Sequence, residues 1–199
     1  RLLAGVDALG ETDPVYVFIV SDHGMLSYVE EPPRFVVDDV IDMDGVRAGV
    51  GGPVMFLYLD EPARAPAIRD ALNEAWDHGR AWLPEETPAA WGVAGNPRFG
   101  HVILTADAGH AVVGSWLRDA RLPTGSHGWT PDTPEMHGIF LALGPGFPAG
   151  RVLPPVRAVD VYPLLARLLG LRPAPDLDGS PVALADRLLP PPPVSPAAP

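Results

Sequence analysis

The sequence predicts an α/β fold, built on a mostly parallel central sheet with helices on both faces. Apolar runs of strand length alternate along the chain with segments of helical periodicity, which is the pattern of such folds. The run VYVFIV (15–20) is apolar throughout, as in parallel strands that are buried on both faces. With 47% hydrophobic residues, a chain of 199 residues is also large enough to bury an extensive core. Because ligands of such sheets gather at the carboxyl ends of the strands, chemistry is expected there.

The first half of the chain supplies four predicted elements. Residues 1–10 place leucine and valine at helical spacing and end in glycine, which predicts a helix. The run at 15–20 is the first strand, and VMFLYL (54–59) is the second. Residues 61–79 predict a helix with proline near its start and glycine at its end. Its apolar face consists of Ala67, Ile68, Ala71, Leu72, Ala75 and Trp76.

The second half continues the alternation. HVILTAD (101–107) is the third predicted strand, and residues 108–116 are its predicted partner. HGIFLALG (137–144) is the fourth strand. Residues 159–170 predict a helix with Asp160 as its cap and a glycine at its end. The chain closes on residues 186–199, a proline-rich tail that is predicted to be disordered.

Composition excludes several classes of protein. With 14 Lys+Arg against 25 Asp+Glu, the net charge is −11, and no basic run could form a nucleic-acid groove. An anionic substrate would need local neutralisation, which a bound metal can supply. The chain has no cysteine, which excludes disulfides and thiolate metal sites, and its apolar runs are too short for a transmembrane segment. It starts at Arg1 with no signal peptide in view, so a fragment or a processed product is expected.

The first group of candidate residues is Ser-Asp-His-Gly-Met at 21–25, directly after the run at 15–20. If the strand ends at Ser21 and Gly24 allows a sharp turn, Asp22 and His23 can converge on one cation. A carboxylate and an imidazole together suit zinc or manganese. The alternative is that Asp22 caps the following turn and His23 packs beside it.

The second group is Gly-Ser-His-Gly-Trp at 125–129, where glycines on both sides would let His127 approach a ligand closely. The alternative for His127 is an ordinary surface histidine in a loop. The other histidines are weaker candidates, and only His137, next to the fourth predicted strand, is retained. The remaining three are His78, His101 and His110.

Four blocks of the chain resemble the nucleotide pyrophosphatase/phosphodiesterase (type I phosphodiesterase) family of the alkaline phosphatase superfamily. SDHGM (21–25) is similar to the family's signature after its central strand. GSHGWTPDTPEMHGIFLALGPGF (125–147) is similar to its run from a glycine-flanked histidine to a Gly-Pro turn. NPRFGHVILTADAGHAV (96–112) and VDVYPLLARLLGLRPAPDLDGS (159–180) resemble a later strand and the closing helix. The blocks stand in the family's order, so the resemblance extends over residues 1–185.

The resemblance implies an alkaline-phosphatase-like sandwich, of which residues 1–185 are the C-terminal part. It implies two zinc ions, with Asp22 and His23 on the ion that also holds the nucleophile and His127 on the other. The nucleophile of the family is a threonine, which forms a phospho-threonine intermediate, and it lies upstream of SDHGM. It is therefore expected in a missing N-terminal half, and the isolated chain is expected to be inactive.

The resemblance further implies hydrolysis of phosphodiester or pyrophosphate bonds in nucleotides or related small diesters. It favours an extracytoplasmic location, periplasmic or secreted, and the lack of cysteine favours a bacterial-type member over the disulfide-rich animal ones. Two segments depart from the family pattern. Thr130 and Pro131 replace the usual Asp and Asn after the His-Gly-aromatic motif, and His101 replaces the Asp of an Arg-Ile-Gly-Asp segment.

Two alternatives remain open at the level of sequence. One is another hydrolase of the superfamily, a sulfatase or a phosphomonoesterase. A Cys-x-Pro-x-Arg sequence upstream would indicate a sulfatase, whereas a threonine nucleophile would indicate a phosphodiesterase. The other is a non-catalytic binding domain of the same fold, which would have no need for zinc.

Overall fold

The structure of the protein is a computed structural model that describes residues 1–8, 15–29, 34–49, 51–180 and 182–188. The chain forms two compact units. Unit 1 consists of Arg1–Asp22 and Ile139–Pro199, and unit 2 consists of His23–Gly138. No helix among the described residues is long and apolar enough to cross a bilayer.

The described strands and helices follow the chain in this order. The strands are β1 (Val17–Val20), β2 (Leu26–Ser27), β3 (Arg34–Val36), β4 (Val46–Gly49), β5 (Val54–Leu59), β6 (Gly79–Trp82), β7 (Val102–Ala106), β8 (Ala111–Val113), β9 (Gly125–Ser126) and β10 (Phe140–Leu143). The helices are α1 (Leu2–Ala8), α2 (Ala65–Ala75), α3 (Val161–Leu168) and α4 (Ala185–Leu188). The predicted runs at 54–59, 101–107 and 137–144 are confirmed as strands.

Unit 2 is organised around a four-stranded sheet in the order β4-β5-β7-β6. Strand β5 alternates between half-buried and buried residues, so Met55, Leu57 and Leu59 point into the core. Helix α2 contributes Ile68 and Leu72 to the same core, as its predicted apolar face requires. The sheet and the helix thus form the two layers that support the rest of the unit.

The expectation of a mostly parallel sheet is wrong for the strands that the structure describes. All three pairings of the four-stranded sheet are antiparallel, and a parallel ladder occurs between β3 and β8. The predicted pairing of residues 108–116 with the third strand is also wrong. Strand β7 already has β5 on one edge and β6 on the other, so β8 pairs with β3 instead. The apolar runs at 54–59 and 101–107 report burial correctly, but they carry no information about strand direction.

Helix α2 ends four residues earlier than the predicted boundary at Gly79. Trp76 has an extended backbone, is buried, and stacks on Phe35 with ring centroids 4.7 Å apart. A Cβ atom on Gly79 would lie 2.3 Å from the Trp76 ring, so this position requires glycine. Gly79 therefore starts strand β6 rather than ending a helix. Asn73 of α2 joins the two elements through hydrogen bonds to the N–H and C=O of Ala81.

Unit 1 contains the antiparallel pair of β1 and β10. One face of this pair carries Phe18 and Phe140, which pack against a cluster that includes Leu164 of α3 and Leu188 of α4. The opposite face is open: the exposed fractions are 43% for Ile19, 51% for Leu141 and 38% for Leu143. The prediction that the run at 15–20 is buried on both faces is therefore wrong for this chain, because only one face of β1 has a covering layer among the described residues.

The closing helix of unit 1 agrees with the sequence in position but not in its cap. Helix α3 starts after Asp160 and is followed by Gly170, which has a φ of 67°. The buried Asp160 carboxylate does not cap the helix; it accepts a hydrogen bond from the Ser180 N–H at 2.8 Å. Helix α4 extends to Leu188, so the predicted tail boundary at 186 falls inside a helix, and residues 189–199 lie outside the described residues.

Candidate functional site

A short antiparallel ladder in unit 2 brings His23 and His127 together. Strands β2 and β9 pair with Leu26 opposite Ser126 and Ser27 opposite Gly125. His23 lies just before β2 and His127 just after β9. In an antiparallel pair, the start of one strand and the end of the other are neighbours. The ladder therefore brings both histidines to the same end of the strand pair in unit 2.

The two imidazole rings are stacked. Their centroids are 3.7 Å apart and their planes differ by 15°. His23 is half-buried, whereas His127 is exposed. The Nδ1 atom of His23 lies 2.7 Å from the carbonyl oxygen of Gly24, and because a carbonyl only accepts, Nδ1 carries the proton. In the neutral ring, Nε2 then carries the lone pair, which is the arrangement that a metal-binding histidine needs.

Gly24 fixes the chain next to His23 through a close backbone approach. Its N–H donates to the Met136 carbonyl at 3.0 Å. A Cβ atom at this position would lie 2.0 Å from the Glu135 carbonyl oxygen and 2.8 Å from that of His137. Because both obstacles are backbone atoms, no rotamer change can relieve the clash. Glycine is thus needed at this position because the backbone of residues 135–137 lies so close, and not because the position has a positive φ.

Replacing Gly24 by alanine is therefore expected to push the 135–137 segment away from His23. We expect a loss of about 1–3 kcal/mol in the free energy of unfolding, measured by urea denaturation, because a backbone contact must open. Gly150→Ala is a control from unit 1, where the added Cβ would meet nothing within 4 Å. The φ of 69° at Gly150 adds some strain of its own, so a loss at Gly24 that does not exceed the loss at Gly150 would contradict this interpretation.

Trp129 anchors the loop that follows His127, a role that the sequence motif did not reveal. Its ring is buried, its Nε1 donates to the His110 carbonyl at 3.1 Å, and it meets the Tyr28 ring edge to face at 5.3 Å. Tyr28 follows β2 directly, so this contact holds the same two chain segments that carry the histidine pair. An aromatic residue two positions after a candidate ligand is the signal that could have indicated this anchor.

Asp22 is the last residue of the first of the two segments of unit 1, and it is exposed. The residue before it, Ser21, continues the β1–β10 pairing: its N–H donates to the Ile139 carbonyl at 3.0 Å and its Oγ accepts from the Ile139 N–H at 2.7 Å. Asp22 therefore follows the end of a strand, as the motif predicts. Its part in a metal site stays a prediction.

The other histidines have different surroundings. His78 and His110 stack on each other with centroids 4.2 Å apart. His101 accepts a hydrogen bond from the Leu59 N–H at 2.9 Å, which is a structural role. A ring nitrogen of His137, the retained outside candidate, lies 3.2 Å from the Pro131 carbonyl. None of these contacts of His78, His101, His110 and His137 involves His23 or His127.

The donor set of the histidine pair suits zinc, which binds imidazole nitrogens readily. Within the described ranges, no three His, Asp or Glu side chains are gathered into a cluster that could hold a metal ion. Each histidine of the pair could thus supply one ligand to a zinc ion, and the assignment of Asp22, His23 and His127 as metal ligands remains a prediction.

Comparison with solved structures defines the class of protein. Murine ectonucleotide pyrophosphatase/phosphodiesterase 5 superposes with a TM-score of 0.81 over 94% of this chain and 49% of that chain, at 27% identity. An inactive variant of the same murine protein, in complex with AMP, gives a TM-score of 0.80 at 27% identity, with the same coverage of both chains. The fold is therefore the α/β fold of alkaline-phosphatase-like proteins, as the sequence predicts.

The chain belongs to the type I phosphodiesterase / nucleotide pyrophosphatase family, whose model matches residues 1–130. Human ectonucleotide pyrophosphatase/phosphodiesterase family member 7 is 30% identical over 171 residues, which cover 81% of this chain and 36% of that protein. Bis(5'-adenosyl)-triphosphatase ENPP4 of Bos taurus is 30% identical over 184 residues, 88% of this chain and 38% of that protein. The chain thus spans well under half the length of these relatives.

Proposed function

We propose that the protein to which this chain contributes hydrolyses phosphodiester or pyrophosphate bonds of nucleotides or related diesters, with zinc as its cofactor. Asp22 and His23 would bind one zinc ion and His127 the other. The observation that carries the proposal is the stacking of His23 on His127 in unit 2, with the ring centroids 3.7 Å apart. The chain that contains this pair belongs to the type I phosphodiesterase family.

Stacked rings favour two ions over one. The lone pair of an imidazole nitrogen lies in the plane of its ring, so two nearly parallel planes cannot both point at the same ion. Each ring can instead bind its own ion, and the two ions would then be separated by about the distance between the two ring planes. Two-metal hydrolytic sites have their ions about 3.5–4 Å apart, which is close to the centroid separation of 3.7 Å. The geometry therefore supports the assignment of the two histidines to different ions.

The residues of the chain have separate tasks in this proposal. The hydrogen bond from His23 Nδ1 to the Gly24 carbonyl fixes the tautomer and the direction of Nε2. Trp129 and Tyr28 hold the segments that carry the pair, and Gly24 keeps residues 135–137 close to His23. When bound, two zinc ions stabilise the attacking and leaving oxygens of an in-line displacement at phosphorus.

The nucleophile is proposed to lie outside this chain. The family resemblance implies a threonine upstream of SDHGM, and a phospho-threonine intermediate formed on it. The chain spans 36% and 38% of two curated relatives, so a threonine in the remaining part is compatible with their length. A nucleotide substrate is supported by the AMP complex of the murine neighbour and by the diadenosine triphosphatase activity in the name of the bovine relative.

The proposal is tested by zinc content and turnover of the full-length protein. The expected result is about two zinc ions per chain and hydrolysis of a nitrophenyl nucleotide ester that a chelator abolishes and added zinc restores. His127→Ala is expected to lower the zinc content by about one ion, and His137→Ala, the matched control, to leave it unchanged. Metal-free protein with full activity would overturn the zinc assignment. Zinc-free, inactive protein would indicate a non-catalytic domain.

A further inference from the structure

A second site in unit 2 is formed by a cleft of about 470 Å³ beside the four-stranded sheet. This volume is in the range of small-molecule pockets, about 300–1,000 Å³. Its walls include Arg80 and Trp82 of β6, Trp91, Asp107 and Asp132. Neither His23 nor His127 lines it, and no step of the proposed hydrolysis uses its side chains.

Two indole rings form the aromatic wall of the cleft. Trp82 and Trp91 meet edge to face, with centroids 5.7 Å apart and planes inclined by 71°. The Trp82 Nε1 already donates to the Thr105 Oγ1 at 2.9 Å, so this indole offers its ring rather than its N–H to a ligand. The Arg80 guanidinium lies 4.1 Å from the centroid of the Trp82 ring, in cation–π contact. This aromatic surface therefore already attracts a cation within the protein itself.

The charges of the cleft oppose an anionic ligand. Asp107 and Asp132 both line it, and among the residues that the structure describes neither carboxylate makes an ion pair or a side-chain hydrogen bond. The pKa of Glu86 is lowered mainly by a hydrogen bond from the Leu83 N–H, and Arg69 and Arg80 lower it further. Glu86 therefore lies within electrostatic reach of Arg80, which itself lines the cleft.

We propose that this cleft binds a small organic cation, with its charge next to Asp107 and Asp132 and its apolar part against Trp82 and Trp91. Carboxylates and indole rings that line one cleft together supply the negative charge and the aromatic surface that favour quaternary and protonated amines. The chain's net charge of −11 also raises the local concentration of cations around the protein. The site differs from the histidine pair in both its residues and its preferred charge, so the two proposals stand independently.

The experiment compares three probes with the same ring and different charge on zinc-free full-length protein. Binding of benzyltrimethylammonium, benzyl alcohol and benzoate is measured by calorimetry and by NMR of the tryptophan indole signals. We expect the cation to bind with a Kd at least about tenfold lower than the neutral probe, and benzoate not to bind. Shifts of the Trp82 and Trp91 signals, assigned by single substitution, locate the probe in the cleft.

Substitutions separate the contributions of charge and ring. Asp107→Asn/Asp132→Asn is expected to weaken cation binding by about tenfold, and Trp91→Leu to weaken both cationic and neutral probes. The charge-matched control is Glu74→Gln/Asp119→Asn, which removes two exposed carboxylates that do not line the cleft and should leave Kd unchanged. Equal binding of all three probes, or an equal loss in the control, overturns the proposal. Because the protein is zinc-free, this result does not depend on catalysis.

Discussion

Replacing His23 by alanine in the full-length protein is expected to lower phosphodiester hydrolysis by at least about a hundredfold. Removing even a side chain that only orients a metal ligand costs about 10–100-fold, and His23 is proposed to be a ligand itself. The measurement is kcat/KM for a nitrophenyl nucleotide ester at saturating zinc. Thermal unfolding of the variant shows whether the loss belongs to the site or to the fold.

The matched control for this substitution is His78→Ala. His78 also stacks on another histidine, His110, at a centroid distance of 4.2 Å, so both substitutions remove one ring from a stacked pair. His78 is exposed, and the control is expected to change kcat/KM by less than about twofold, since surface substitutions away from special features have small effects. Comparable losses in both variants would show that the pair of His23 and His127 is structural.

The 199-residue chain by itself is expected to show no turnover and to expose an apolar surface. It supplies three proposed zinc ligands, Asp22, His23 and His127, but not the proposed threonine nucleophile. The outward face of the β1–β10 pair in unit 1 carries Ile19 opposite Leu141, with Leu143 beside them, all exposed. Contiguous apolar surface of this kind is uncommon on monomeric proteins, so we expect strong binding of a hydrophobic dye and concentration-dependent association.

The two parts of this expectation have separate measurements. Ile19→Thr/Leu141→Thr is expected to reduce dye binding and light scattering of the chain. Leu169→Thr/Leu171→Thr removes two exposed leucines elsewhere in unit 1 and should have the smaller effect. Zinc-dependent release of nitrophenol by the isolated chain would falsify the assignment of the nucleophile to an upstream segment. It would mean that a serine or threonine of this chain performs that role.

The sequence predicted the positions of most elements of the fold but not how the strands pair. Burial of β5 and β7 could be predicted, because their composition reports the environment of each side chain. Strand direction depends on which edges are already occupied, and a run of valine and leucine does not encode that. The prediction that both faces of β1 are buried was wrong for a related reason. An apolar strand is typical of burial on both faces, but the described residues of unit 1 pack against one face of β1 only.

The candidate site was predictable in part. The motifs singled out Asp22, His23 and His127, and the rings of the two histidines stack in unit 2. Stacking alone does not select this pair, because His78 and His110 stack as well. The anchor Trp129 was missed, because its role depends on the Tyr28 ring and the His110 carbonyl, which only the folded chain brings near. The reason for Gly24 was also different from the expected turn: its neighbours are carbonyl oxygens of residues 135–137.

The two-rung ladder between β2 and β9 has a consequence for the order of events in folding. It joins segments that are separated by about a hundred residues, so closing it carries the loop-closure entropy of the whole intervening chain. Contacts of such long sequence separation form slowly unless the intermediate structure has already shortened the loop. We therefore expect the four-stranded sheet to form first and the histidine pair to assemble late. In the native state, the amide protons of Leu26 and Ser126 should accordingly exchange faster than those of β7.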